Sequence, residues 1–199
     1  MSERVLAVIA ALLAALVLGL ALFWHPAPPE RPLPVAAGPA GGAFTVQSAD
    51  GPISLDDFRG KVVLLYFGYT YCPDICPTSL MSTAAGLKLL SDEERQQVRT
   101  LFISVDPERD TPARLKEYAA FFDPGILGAT ASPETLADVA KRYGVFYARQ
   151  PADAGSGYVV DHTSETLVVA PNGKLVGRIP HAAAPEVVVA EIRKLLIHP

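Results

Sequence analysis

Cys72 and Cys76 are the only cysteines of the chain, and three residues separate them in Tyr66-Phe67-Gly68-Tyr69-Thr70-Tyr71-Cys72-Pro73-Asp74-Ile75-Cys76-Pro77. Two thiols this close can exchange with a disulfide or bind a soft metal ion, and in both cases the thiolate is the working form. The apolar, β-branched and aromatic run Val62-Val63-Leu64-Leu65-Tyr66-Phe67 has the length of a strand buried on both faces. Pro77 suits the first position of a helix, where a missing N–H costs nothing, so Cys76 is expected near the N-cap with Cys72 one turn earlier. If the turn is helical, the four-residue spacing brings both sulfurs to one side. The positive end of the helix dipole then lowers the thiol pKa. The turn looks exposed; the competing reading is a structural disulfide or two buried thiols.

Disulfide oxidoreductases typically use two intervening residues, and three widen the sulfur pair, which adds weight to metal. Two thiolates and an imidazole suit a soft or borderline ion, with copper and zinc the main candidates. The candidate third ligand is His162, in Val159-Val160-Asp161-His162-Thr163, expected on a loop leading into a strand from Glu165. Strand ends and their loops gather at one edge of a parallel-type sheet, so this loop can approach the cysteine turn. His25, His181 and His198 are read as carrying no ligand role. A thiol peroxidase of the peroxiredoxin kind is a distant alternative, because the residue three before Cys72 is Tyr69 where that approach to the nucleophile uses Thr.

The elements that must hold these residues follow from patterning. Phe44-Thr45-Val46 and Ile53-Ser54-Leu55 flank an Asp50-Gly51 turn signal, which predicts a hairpin before the central strand. After the cysteines, Leu80, Ala84, Leu87 and Leu90 recur at helical spacing. Arg99–Val105 reads as the next strand, ending at Asp106-Pro107, and Thr111-Pro112 opens a helix containing Leu115, Tyr118, Ala119 and Phe122. Ser132-Pro133 opens another helix that reaches Tyr143. Glu165–Ala170 and Lys174–Ile179 flank Pro171-Asn172-Gly173, a strong hairpin signal. A helix from about Pro185 to Leu196 closes the chain. Strands alternating with helices, then a hairpin and a helix, give an α/β layered domain with a mixed sheet. A redox or metal turn after the first core strand is the thioredoxin-like arrangement.

With 199 residues and half of them apolar, the chain can build one sizeable core with an appendage. Its net charge of -4, with Lys and Arg scattered, offers no basic stripe for nucleic acid. From Val5 to Trp24 no residue is charged, and about 20 apolar residues match the hydrocarbon core of a bilayer. The expectation is an uncleaved transmembrane anchor over 1–24; a cleaved signal peptide competes, but its apolar region is usually shorter, roughly 7 to 15 residues. Residues 25–42, rich in Pro, Ala and Gly, read as an extended tether to a globular domain over 43–199.

Phe67-Gly68-Tyr69-Thr70-Tyr71-Cys72-Pro73-Asp74-Ile75-Cys76-Pro77, Ser104-Val105-Asp106-Pro107-Glu108-Arg109-Asp110-Thr111-Pro112 and Val160-Asp161-His162-Thr163 resemble, in that order, the Sco/SenC family of copper metallochaperones. The resemblance covers roughly Gly42 to the end, and the membrane anchor is similar to the family's usual layout. It implies a thioredoxin-like fold, Cys72, Cys76 and His162 as copper ligands, and delivery of copper to the CuA centre of cytochrome c oxidase or preparation of that centre's cysteines. Tyr71 departs from the pattern, since the family often has His there, but that position is not one of the usual ligands. Cu(I) is content with two thiolates and an imidazole; Cu(II) would take a fourth ligand, water or a carboxylate such as Asp74. The domain is expected on the periplasmic side of a bacterial cytoplasmic membrane. An oxidising compartment would close a Cys72–Cys76 disulfide and abolish binding, so a thiol reductant is implied as a second partner beside the oxidase's copper-bearing subunit. The alternative function is a thiol-disulfide oxidoreductase, which needs Cys72 and Cys76 but not His162. The loop of Asp106 and Asp110 either shapes the site or its docking face, or caps the helix after Thr111.

Overall fold

The structure, a computed structural model, describes residues 40–151 and 157–197, together with Val5 and Leu13. The chain separates into two compact units, Met1–Ala36 and Ala37–Pro199. Of the first unit only Val5 and Leu13 are described, both helical, so the expected anchor and most of the tether lie outside the described residues. Among the described residues no helix is long and apolar enough to cross a membrane.

The second unit is built on β3 (Val62–Gly68), every residue of which is buried. Each fully buried Val, Leu or Phe side chain contributes about 1.5–3 kcal/mol, so this strand anchors the core. It runs parallel to β4 (Val98–Ser104), which runs parallel to β5 (Ile126–Thr130). A hairpin of β1 (Thr45–Ser48) and β2 (Gly51–Ser54) adds antiparallel to β5. On the other side β8 (Thr166–Val169) and β9 (Leu175–Ile179) add antiparallel to β3. The result is one mixed seven-stranded sheet in the order β2-β1-β5-β4-β3-β8-β9; its mixed character is what the element pattern and the two turn signals predict. A separate two-stranded ribbon pairs β6 (Tyr147–Pro151) with β7 (Tyr158–His162).

The helices are α1 (Ile75–Lys88), α2 (Asp92–Gln96), α3 (Pro112–Phe122), α4 (Pro133–Tyr143) and α5 (Pro185–Ile197). Alternate residues of a strand face opposite sides of its sheet. Tyr66 of β3 accordingly turns toward the start of α1, where its hydroxyl lies 3.4 Å from the Ile75 carbonyl oxygen. Its neighbour Phe67 meets Tyr143 of α4 on the other face, ring centroids 6.5 Å apart. Local chemistry sets the helix ends. Thr111 and Ser132 accept the backbone N–H of Arg114 and Thr135 as N-caps, each followed by Pro at the first helical position. Gly144 ends α4 in the left-handed conformation, φ 64°.

At the site, one boundary differs from the sequence-based expectation. Asp74, not Cys76, is the N-cap of α1, so Cys76 is its second residue and Pro77 its third. Proline is tolerated there for the same reason as at the first position: the N–H groups of the opening turn have no partner within the helix. The elements that patterning did not predict are β5, α2 and the β6–β7 ribbon. His162 therefore ends a strand rather than sitting in a loop.

Candidate metal site

β3 ends at Gly68, and the chain turns through residues 69–74 into α1, carrying Cys72 in the turn and Cys76 in the first helical turn. Both thiols are free. They are not exposed, as the sequence suggested: Cys72 retains 9% of its surface and Cys76 none. β7 delivers His162 to the same place from the ribbon. The sulfurs of Cys72 and Cys76 and a ring nitrogen of His162 all lie within 4.8 Å of one another. The convergence expected of these three residues is thus present in the fold.

Polar contacts fix each donor. The backbone N–H of Cys76 points at Cys72 Sγ, 3.4 Å away, so the amino end of α1 meets the outer sulfur. A hydrogen bond from the Cys76 thiol, and after it those from the N–H groups of Cys76 and Asp74, hold the Cys72 thiol well below its ordinary range in spite of burial. Cys76 moves the opposite way, because its proton is shared with Cys72 and its sulfur is buried beside that negative charge. Both shifts favour a thiolate on Cys72 with the shared proton on Cys76. His162 Nδ1 lies 2.9 Å from the Thr163 carbonyl oxygen, which can only accept, so Nδ1 carries the ring proton. That leaves the Nε2 lone pair facing Cys76 Sγ at 3.2 Å. A carbonyl behind a histidine is the usual device for presenting the other nitrogen to a metal.

Tyrosines wall the imidazole. The rings of Tyr66 and Tyr69 stand edge-on to it, with centroids 6.1 and 5.8 Å away. Burial, first of all, pushes both phenols above their ordinary range, so they stay neutral beside the thiolate. Sequence reasoning did not single out Tyr66 or Tyr69 as part of the site. For Tyr66 the signal was the odd-even phase of β3, which sends it to the α1 side together with the cysteines; Tyr69 lies past the strand and carried no such signal.

The mouth is a cleft lined by Tyr69, Cys72, Pro73, Ile75, Val159 and His162, with Asp74 and Asp161 at its rim. Asp74 is exposed and turns back onto Thr78, whose hydroxyl lies 3.2 Å from Asp74 Oδ1, and it is not among the three clustered donors. His181 pairs with Ser79, 2.8 Å from its hydroxyl, apart from the three donors. His25 and His198 lie outside the described residues. Tyr71 is half exposed, its ring beneath the guanidinium groups of Arg114 and Arg109 at 4.5 and 4.9 Å.

Two sulfurs and one imidazole nitrogen at a largely apolar cleft form a soft set that fits Cu(I) or Zn(II). The two cysteines follow the carboxyl end of β3 in a thioredoxin-like mixed sheet, and the histidine reaches them from the separate ribbon. Residues 35–197 match the SCO1/SenC family model, and the chain belongs to that family. It is 40% identical over 139 residues to the mitochondrial SCO2 homologue of Bos taurus, an alignment covering 69% of this chain and 52% of the bovine protein. The chain spans about half to two thirds of the length of the curated relatives it matches. The solution structure of apo Sco1 from Thermus thermophilus superposes with a TM-score of 0.71 at 39% identity, covering 81% of this chain and 93% of that one. Bradyrhizobium japonicum ScoI with copper bound gives 0.70 at 35% identity, covering 78% and 98%.

Proposed function

We propose that this chain is a membrane-anchored copper carrier that loads, or prepares the cysteines of, the CuA centre of cytochrome c oxidase. Cys72, Cys76 and His162 are its copper ligands and copper is its cargo. The observation that carries this reading is the meeting of two thiols and an oriented imidazole within 4.8 Å, on the fold of relatives whose solved structures hold copper. In the same reading Val5–Trp24 is the anchor, 25–42 the tether, and 43–199 the copper-binding domain on the periplasmic face of a bacterial cytoplasmic membrane. A membrane-bound full-length chain supports the anchor; a soluble periplasmic form that starts beyond Trp24 rejects it.

The thiols work only when reduced. Closing a Cys72–Cys76 disulfide removes two electrons and the one proton the pair shares, and leaves neither sulfur as a thiolate ligand, so loading requires a reductant partner. A pure thiol-disulfide oxidoreductase would have no use for the imidazole at Cys76, and the presence of His162 there favours the copper reading. His162→Ala should lower Cu(II) affinity more than Cu(I), because Cu(I) tolerates two-coordinate thiolate binding, while Cys76→Ser should weaken both. Copper content of the purified reduced variants and oxidase activity of cells carrying them check this. Normal copper and normal oxidase in His162→Ala, with loss in Cys76→Ser, would reject copper carriage in favour of thiol exchange.

A further inference from the structure

We propose that Asp106 and Asp110, two fully buried carboxylates on the loop between β4 and α3, are positioning residues that set the span between the cysteine turn and His162. The inference rests on the metal-site reading above and concerns how that site is held together.

Asp110 serves the cysteine side. Its Oδ2 accepts the backbone N–H of Thr70 at 2.9 Å and the Ser104 hydroxyl at 2.6 Å, and its Oδ1 accepts the Thr70 hydroxyl at 2.6 Å. Thr70 stands two residues before Cys72, so this carboxylate pins the turn to the end of β4. Asp106 serves the histidine side. It accepts the Tyr158 hydroxyl at 2.7 Å and Arg109 Nε, and Arg149 of β6 lies 3.4 Å away. Arg109 Nη1 in turn donates to the Tyr158 carbonyl at 3.0 Å. Tyr158 opens β7 and His162 closes it.

Arg109 joins the two sides. Its guanidinium lies 3.7 Å from the ring centroid of Tyr158 on the ribbon, and 4.9 and 5.5 Å from those of Tyr71 and Tyr69 on the cysteine turn. Helix capping does not explain the two carboxylates, because Thr111 caps α3 with its own hydroxyl. Every group facing Asp106 is a donor, and burying a carboxylate is costly unless such donors surround it. An amide at this position would turn one N–H toward a donor and withdraw the charge that holds Arg109.

The test uses the full chain, reduced, as wild type, Asp106→Asn, Asp110→Asn, His162→Ala and the Asp106→Asn/His162→Ala double variant. Asp106→Asn should weaken Cu(II) binding about tenfold, at the lower end of what lost outer contacts cost a metal site, and leave Cu(I) near wild type. In the His162→Ala background it should add nothing, because its effect passes through the imidazole. Asp110→Asn should weaken both oxidation states. In the metal-free protein, amide hydrogen exchange should quicken in β6–β7 for Asp106→Asn while β3 and β4 keep their protection. An equal further loss in the double variant, or faster exchange throughout β3 and β4, would overturn the proposal. If Asp106→Asn does not fold, Tyr158→Phe removes one of the same contacts; the same direction of change upholds the proposal, and wild-type exchange and Cu(II) affinity overturn it. Should His162→Ala itself bind both ions like wild type, the metal-site reading fails, and the exchange pattern still decides the positioning role.

Discussion

Gly68, the last residue of β3, has no room for a side chain: a Cβ built there would stand 2.6 Å from Cys76 Sγ and 3.0 Å from the Phe102 ring. Neither neighbour can retreat easily, since Cys76 is fixed in the first turn of α1 and Phe102 is fully buried. Gly68→Ala should therefore cost about 1–3 kcal/mol of stability, as overpacking of a filled core does. It should also displace the inner sulfur and weaken copper binding of both oxidation states. Urea unfolding of the metal-free protein and copper titration check the two parts; wild-type values in both would mean that α1 shifts to make room. At this scale the donors were legible in the sequence because Cys and His announce their chemistry by type. Tyr66, Gly68 and Tyr158 were not, because their roles depend on which strands the fold brings together, and a tyrosine in an apolar run reads first as core.

The short helix α2 is tied to α5 by Glu94, whose carboxylate meets the Arg193 guanidinium at 2.7 Å. That hydrogen bond, ahead of the one from the Ser91 backbone N–H, holds the Glu94 carboxyl down to about 2. A carboxyl depressed on folding contributes stability above its unfolded pKa, about 4.3, and that contribution is lost as pH falls toward 2. Glu94→Gln can keep the capping box through its amide oxygen, and removes the charge and one of the two acceptors that face Arg193. It should lower the urea midpoint slightly at pH 7. The difference from wild type should shrink below about pH 4 and in high salt, because the pair is partly exposed and screened. A difference unchanged by acid would rule out the ion pair as its source. Element by element, strands and helices with a clear apolar period were readable, as were hairpins with Asp50-Gly51 or Asn172-Gly173 turns. The β6–β7 ribbon was not: Tyr147–Pro151 is mostly polar and ends in proline, so it carries no alternation to read. Pro77 misled by two residues because proline fits several positions of a first helical turn.

For the whole molecule, copper held by the folded site but not by the unfolded chain must stabilise the fold. At a free copper level one hundred times its Kd the gain is about 2.7 kcal/mol. Thermal unfolding of the reduced chain should accordingly shift upward on loading, return with a chelator, and show no shift after the thiols are oxidised. A shift that survives oxidation would place the binding elsewhere. The layered α/β plan was legible from the order of elements, whereas the division into a seven-stranded sheet and a separate ribbon was not. That division gives the site unequal arms. The thiols stand on the rigid junction of β3 and α1, while the imidazole arrives on a two-stranded piece that shares no ladder with the main sheet. If the site carries an ion as proposed, the arm held outside the main sheet should yield first, so the histidine should exchange with an incoming ligand before the sulfurs do.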